Sequence, residues 1–245
     1  MTAKRQNTEK KHGDNKVMAE RCNWSFDEVA EQFEEHIEQS VPNYRAGHEL
    51  ICRFSDYFLR DDSLVYEIGS STGALARQFL EWNVQRAELC YTGLEISPKM
   101  VDFAKSKGVS DKRMNLLCED ITSFELEPCT VVIGYYTFQF IRPAYRQAVF
   151  NKIYEALEWG GALLVFEKVR GPDARFQDYM NQVYSDMKQE AGFSEAEIIN
   201  KAQSLKGVLE PFSSAGNLGL MQRAGFRDIM PIYKWVCFEG WLAIK

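Results

Sequence analysis

Nine residues, Val65-Tyr66-Glu67-Ile68-Gly69-Ser70-Ser71-Thr72-Gly73, constrain this chain more than any other stretch. They predict a short buried strand that ends in an acid and a glycine-bearing turn. A helix then opens at Ala74-Leu75-Ala76-Arg77-Gln78-Phe79-Leu80, and a second strand, Leu89-Cys90-Tyr91-Thr92-Gly93-Leu94, ends in Glu95. Two strands around one helix, with glycines at the first turn and an acid at the second strand's tip, form a nucleoside-binding βαβ unit. Glycines let the backbone turn tightly and approach a ligand closely. Glu95 lies about 20 residues past the last glycine, where an acid accepts hydrogen bonds from ribose hydroxyls.

The dinucleotide fingerprint G-x-G-x-x-G is absent, because the turn reads Gly69-x-x-x-Gly73. Acid-x-Gly-x-x-x-Gly resembles motif I of class I S-adenosylmethionine (SAM)-dependent methyltransferases. Their ligand has no pyrophosphate but carries an amino-acid tail and a sulfonium, and a carboxylate at Glu67 suits such a cation. Gly69, Ser70, Ser71 and Gly73 are then the cofactor turn, and Glu95 and Ile96 the ribose side. An ordinary strand-helix turn in another doubly wound protein is the alternative reading of these residues alone.

At 245 residues, the chain is long enough for one large α/β domain with additions. Its net charge of −6 argues against a dedicated nucleic-acid binder. The six cysteines contain no C-x-x-C pair, so no zinc or other metal site is expected. Cys90, Cys118 and Cys237 sit in apolar runs and read as buried thiols. With no long apolar run and no leader pattern, the chain reads as cytoplasmic, without a membrane partner.

Residues 1–21 are polar and aperiodic, which predicts a disordered tail before a SAM-binding domain over 22–245. Residues 22–60 read as a helical lid. Ser25 caps a first helix with Phe26, Val29, Ala30, Phe33 and Ile37 on its apolar face, and Leu50, Ile51, Phe54, Tyr57 and Phe58 form the face of a second. Tyr44, in the breaker between them, is placed near the ligand. Ser97 and Pro98 start another helix. A third strand covers 114–119, and Asp120-Ile121 after it match the fold class's adenine-reading position. A fourth strand, 130–136, points Tyr135, Tyr136, Thr137 and Gln139 into the crevice. Pro143 to Trp159 reads as a helix stopped by Gly160-Gly161, followed by a strand tipped by Glu167-Lys168. Residues 171–207 form a helical insertion, and 228–235 with 236–244 a final antiparallel hairpin. The fold class is therefore α/β: a Rossmann-like class I methyltransferase fold with a seven-stranded, mostly parallel sheet.

Several segments narrow the resemblance. They include Asn23-Trp24-Ser25-Phe26-Asp27, Gln39-Ser40-Val41-Pro42-x-Tyr44, Thr137-Phe138-Gln139-Phe140, Phe166-Glu167-Lys168, Gly192-Phe193-Ser194-x-x-Glu197-Ile198 and Ala224-Gly225-Phe226. In this order they resemble the carboxy-SAM synthase family. That resemblance implies conversion of SAM with prephenate into carboxy-SAM, used on the wobble uridine of transfer RNA, and a homodimer. It implies ligand contacts at Tyr44, Gly69, Ser71, Glu95, Asp120 and Ile121. Two positions depart from the family. Its carboxylate-holding arginine aligns with Ala202, beside Lys201, and a methyl group cannot replace a bidentate guanidinium. Its asparagine after the fourth strand is Tyr135.

The leading expectation is a methyltransferase that uses SAM on a small-molecule acceptor. Tyr135 and Tyr136 would stabilise the sulfonium. Tyr136, Glu167 and His48 are the candidate bases. Arg45, Tyr136, Gln139 and Lys201 are the candidate substrate contacts, with Arg45 a possible substitute clamp. A carboxy-SAM synthase with a relocated anion site is the second expectation, and a non-catalytic SAM-binding partner protein the third.

Overall fold

The computed structural model describes residues 33–107 and 111–245. The expected tail, the Ser25 cap and the Phe26, Val29 and Ala30 positions lie outside the described residues. Helices α1 (Phe33–Ser40) and α2 (Tyr44–Ser55) lead into β1 (Leu64–Ile68), α3 (Ala74–Trp82), β2 (Cys90–Glu95), α4 (Pro98–Ser106), β3 (Met114–Cys118) and β4 (Cys129–Tyr135). Then follow α5 (Pro143–Ala156), β5 (Leu157–Lys168), α6 (Ala174–Glu190), α7 (Glu195–Ser204), α8 (Ser214–Ala224), β6 (Asp228–Trp235) and β7 (Phe238–Ile244).

The seven strands lie in the order β3-β2-β1-β4-β5-β7-β6. β1 to β5 pair in parallel, and β7 runs antiparallel between β5 and β6. The chain winds outward from β1 to β3 and then restarts on the other side at β4. The carboxyl ends of β1 and β4 therefore diverge around a crevice, the place where open α/β sheets bind ligands. Alternation along the strands fills two cores. Val65, Ile133 and Leu164 join Ile51 and Phe79 on one face, while Tyr66, Val132 and Leu163 join Phe150 and Met221 on the other.

Local signals behave as read in several places. Ser97 Oγ accepts from Met100 N at 3.2 Å with Pro98 inside the first turn, and Ser194 and Glu197 complete a capping box. Three expectations need correction. α5 stops at Ala156, and Gly160-Gly161 lie inside β5. Leu157 already pairs with Cys129, and the register slips before Val131. Gly160, with φ +78, donates to Lys245 O at 2.9 Å, so the glycines serve an irregular strand edge and do not cap a helix. Tyr57 is 85% exposed, because α2 ends at Ser55 and the turn beyond it brings Phe58 and Leu59 to the core in its place. Cys90 and Cys118 are exposed at strand ends, whereas Cys237 is buried as expected.

Candidate functional site

A cavity of about 1200 Å³ opens over the carboxyl ends of β1, β2, β4 and β5, roofed by α1, α6 and α7. Its floor is the glycine turn. Gly69, Ser71 and Gly73 all take left-handed backbone, with φ of +76, +50 and +71. For a serine this costs about 1–2 kcal/mol, and the Glu95 carboxylate holds it by accepting from Ser71 N at 2.9 Å. A Cβ on Gly69 would stand 2.4 Å from Thr137 Oγ1, so the turn sits tight against the end of β4. The other Glu95 oxygen accepts from Ser97 N at 2.9 Å, which aims the carboxylate along the cavity wall.

Glu67 is 3% exposed and accepts from Tyr91 Oη at 2.8 Å. Burial pushes its carboxyl up to about 8, with the Glu95 charge adding to the effect against the Tyr91 hydrogen bond. An acid so placed on a cavity floor is stabilised by an arriving cation. Tyr44, Tyr135 and Tyr136 build the wall above it, with ring centroids 5.1 and 4.6 Å apart along the row. Tyr135 Oη donates to Tyr44 O at 2.6 Å and fixes α2 to the end of β4.

The far half of the cavity is basic. Lys168 and Lys188 place their ammonium groups 4.3 and 4.2 Å from the Tyr184 ring centroid. Lys201 Nζ lies 2.8 Å from His36 Nε2. Burial lowers His36 to about 4, helped by the Lys201 charge, so the ring is neutral and accepts. Burial also lowers Lys188 to about 8 and Lys201 to about 7, with Lys168 repelling the first and Lys188 the second. Among the described residues, neither Lys168 nor Lys188 is ion-paired to a carboxylate.

A family model described as a methyltransferase domain matches residues 65–161. The carboxy-S-adenosyl-L-methionine synthase of Staphylococcus epidermidis is 34% identical over 224 residues, covering 91% of this chain and 97% of its own length. The same enzyme from Desulfotalea psychrophila is 33% identical over 220 residues, 89% of each chain. The chain belongs to the carboxy-SAM synthase family. It is thus a SAM-using enzyme of the class I methyltransferase type. Solved methyltransferases share its fold. Human N-acetylserotonin methyltransferase in complex with SAM superposes with a TM-score of 0.60 at 18% identity, over 90% of this chain and 56% of that one. A phosphoethanolamine N-methyltransferase from Haemonchus contortus gives 0.63 at 15% identity, over 89% and 58%.

The residues present in this carboxy-SAM synthase relative fit SAM. A turn with no room for a Cβ at Gly69, a carboxylate aimed by two amides and a buried acid raised to about 8 suit a ribose and a cationic tail. Of the expected cofactor residues, Tyr44, Glu67, Gly69, Ser70, Ser71, Glu95, Ile96, Asp120, Ile121 and Tyr135 all face the cavity. Gly73 does not, and acts as the left-handed start of α3. Asp120 Oδ1 accepts from Thr122 N at 2.8 Å, so this acid also shapes its own turn.

The substrate and catalytic candidates divide more sharply. Tyr136, Gln139 and Lys201 line the cavity. Burial drives the Tyr136 phenol upward, which keeps it protonated and makes it a donor and not a base. Gln139 spends its amide on Tyr136 O and Lys168 N, both at 3.0 Å. Arg45 does not reach the cavity. It turns outward to Glu38, donating from Nε at 2.6 Å, and stays half-exposed. His48 is fully buried behind Tyr44 and Tyr135, and burial lowers it to about 3. Glu167 is buried beneath the cavity, with its two oxygens accepting from Phe138 N and Gln139 N at 2.9 Å. Sequence reasoning missed Glu34, His36, Tyr184 and Lys188. The i,i+4 spacing of Tyr184 and Lys188 was a usable signal, but nothing local marked Glu34.

Proposed function

We propose that this enzyme transfers the methyl group of SAM to a small-molecule acceptor. The observation that carries this reading is Ala202, a methyl side chain on the cavity wall where the family resemblance implies a carboxylate-holding arginine. When bound, SAM supplies an electrophilic methyl group on a sulfonium. Glu95 would hold the ribose hydroxyls, Asp120 and the Ile121 backbone the adenine, and Glu67 the cationic tail. The faces of Tyr44, Tyr135 and Tyr136 exclude water and favour positive charge. A base, where the acceptor needs one, falls to Lys201, whose amine at about 7 loses its proton near neutrality. No helix among the described residues is long and apolar enough to cross a membrane. We assign the expected homodimer contact to α6, where Phe176, Tyr179 and Val183 are exposed along one side.

One observation favours a second reading, the synthesis of carboxy-SAM from SAM and prephenate. Lys168, Lys188 and Lys201 come from three different elements and converge on the far half of the cavity. Together they offer an anion the charge that the missing guanidinium would have supplied. Mass spectrometry of the nucleoside that co-purifies from a carboxy-SAM-free host, with and without prephenate, separates the readings. SAM or S-adenosylhomocysteine under both conditions supports methyl transfer. Carboxy-SAM appearing only with prephenate sinks it and moves attention to Lys188→Ala and Lys201→Ala.

A further inference from the structure

α1 lies over the cavity with no fully buried residue of its own, and its Ile37 packs against the main core. Polar contacts hold both of its flanks. On one side, Glu34 Oε1 accepts from Thr72 Oγ1 and from Arg77 Nη2, each at 2.8 Å. Thr72 is 1% exposed and stands in the glycine turn between left-handed Ser71 and Gly73. Arg77 Nη1 closes the ring by donating to Thr72 O at 2.7 Å. On the other side, Lys201 meets His36, and Tyr184 Oη donates to Ser40 O at 2.7 Å. The strap therefore joins the cofactor turn to the insertion that carries the basic half. Burial alone would raise the Glu34 carboxyl. The Thr72 and Arg77 donors more than offset this and hold it below its usual value, with the Arg77 and Lys107 charges helping.

We propose that Glu34 is a positioning residue for the cofactor. Through Thr72 and Arg77 it makes closure of α1 and ordering of the glycine turn a single equilibrium, so that a nucleoside ligand is retained only under a closed strap. This rests on the reading of the cavity as the SAM site. The coupling follows from linkage. A ligand that binds only the ordered turn shifts the strap toward closed, and a strap that cannot engage the turn weakens the ligand by the same factor.

The test uses the full chain as wild type, Glu34→Ala, Thr72→Val, the double variant and Thr72→Ser. S-adenosylhomocysteine affinity is read by calorimetry, and backbone hydrogen exchange over residues 33–40 is read with and without it. In the wild type the ligand should slow exchange over 33–40. Glu34→Ala should weaken binding about tenfold, the scale of losing a charged hydrogen bond, and abolish that protection. Thr72→Val should do the same, and the double variant should be no worse than either single one. Thr72→Ser keeps the hydroxyl and should bind as wild type does, which separates the hydrogen bond from general damage to the fold. Additive losses, or ligand-induced protection that survives in Glu34→Ala, would overturn the proposal. A wild type that binds no S-adenosylhomocysteine would overturn the cofactor reading, and the proposal with it.

Discussion

Replacing Glu67 with glutamine should change how many protons the protein releases when it binds SAM. The carboxyl stands at about 8, so at pH 7 about nine molecules in ten carry the proton. A cation a few ångströms away favours the charged form and lowers such a pKa by about 1–3. Binding at pH 7 therefore expels about 0.4 to 0.9 of a proton from Glu67, at a cost of up to about 1.4 kcal/mol, or tenfold in affinity, that vanishes above pH 9. Glutamine mimics the neutral acid and still accepts from Tyr91, so the variant should fold. Calorimetry in two buffers of different ionisation enthalpy counts the protons. Lys188, Lys201 and the ligand's own amine titrate in the same range, so the quantity of interest is the difference between wild type and E67Q. That difference should lie between about 0.4 and 0.9 of a proton at pH 7 and fall to about 0.1 or less by pH 9. Equal proton release in the two proteins at pH 7 would refute the assignment of Glu67 to the cationic tail. The sign for stability is opposite. The folded pKa lies above the ordinary 4.5, so the ligand-free protein loses stability as pH rises from about 4.5 to about 8. E67Q should show a smaller loss, the remainder coming from Glu167, which burial also raises to about 8.

Three further outcomes test the packing and the division of roles. A Cβ on Gly47 would stand 2.1 Å from Tyr135 Oη, so Gly47→Ala should cost about 1–3 kcal/mol of unfolding free energy, and less in a Tyr135→Phe background, as read from urea melts of both pairs. Glu167→Gln turns an amide N–H toward one of the two backbone donors that the carboxylate now serves. It should destabilise by about 1–3 kcal/mol while leaving S-adenosylhomocysteine affinity within about twofold, and normal stability with lost turnover would restore Glu167 as a base. Asp120→Ala should weaken S-adenosylhomocysteine by about tenfold in calorimetry, and unchanged affinity would leave Asp120 only its hydrogen bond to Thr122 N.

What the sequence determined by itself lies where the physics is local. The Gly69–Gly73 turn, the Ser97 and Ser194 caps and the order of strands and helices are written in backbone preferences and hydrogen bonds that close within a turn or two. Glu95 and Asp120 reach the cavity because they sit at strand ends whose direction the topology dictates. Tertiary structure decided the rest. Gly160-Gly161 has the composition of a helix stop and became part of β5, because Cys129 and Lys245 supply pairing partners far away in the chain. Arg45 and His48 follow Tyr44 closely, yet they leave α2 in other directions, one outward to Glu38 and one into the core. The basic half of the cavity needs Lys168, Lys188 and Lys201 from a strand tip and two helices, and no short window holds that pattern. Glu34 reaches Thr72 across 38 residues. Local chemistry sets the turns and caps, but which side chains share one cavity depends on how distant elements pack.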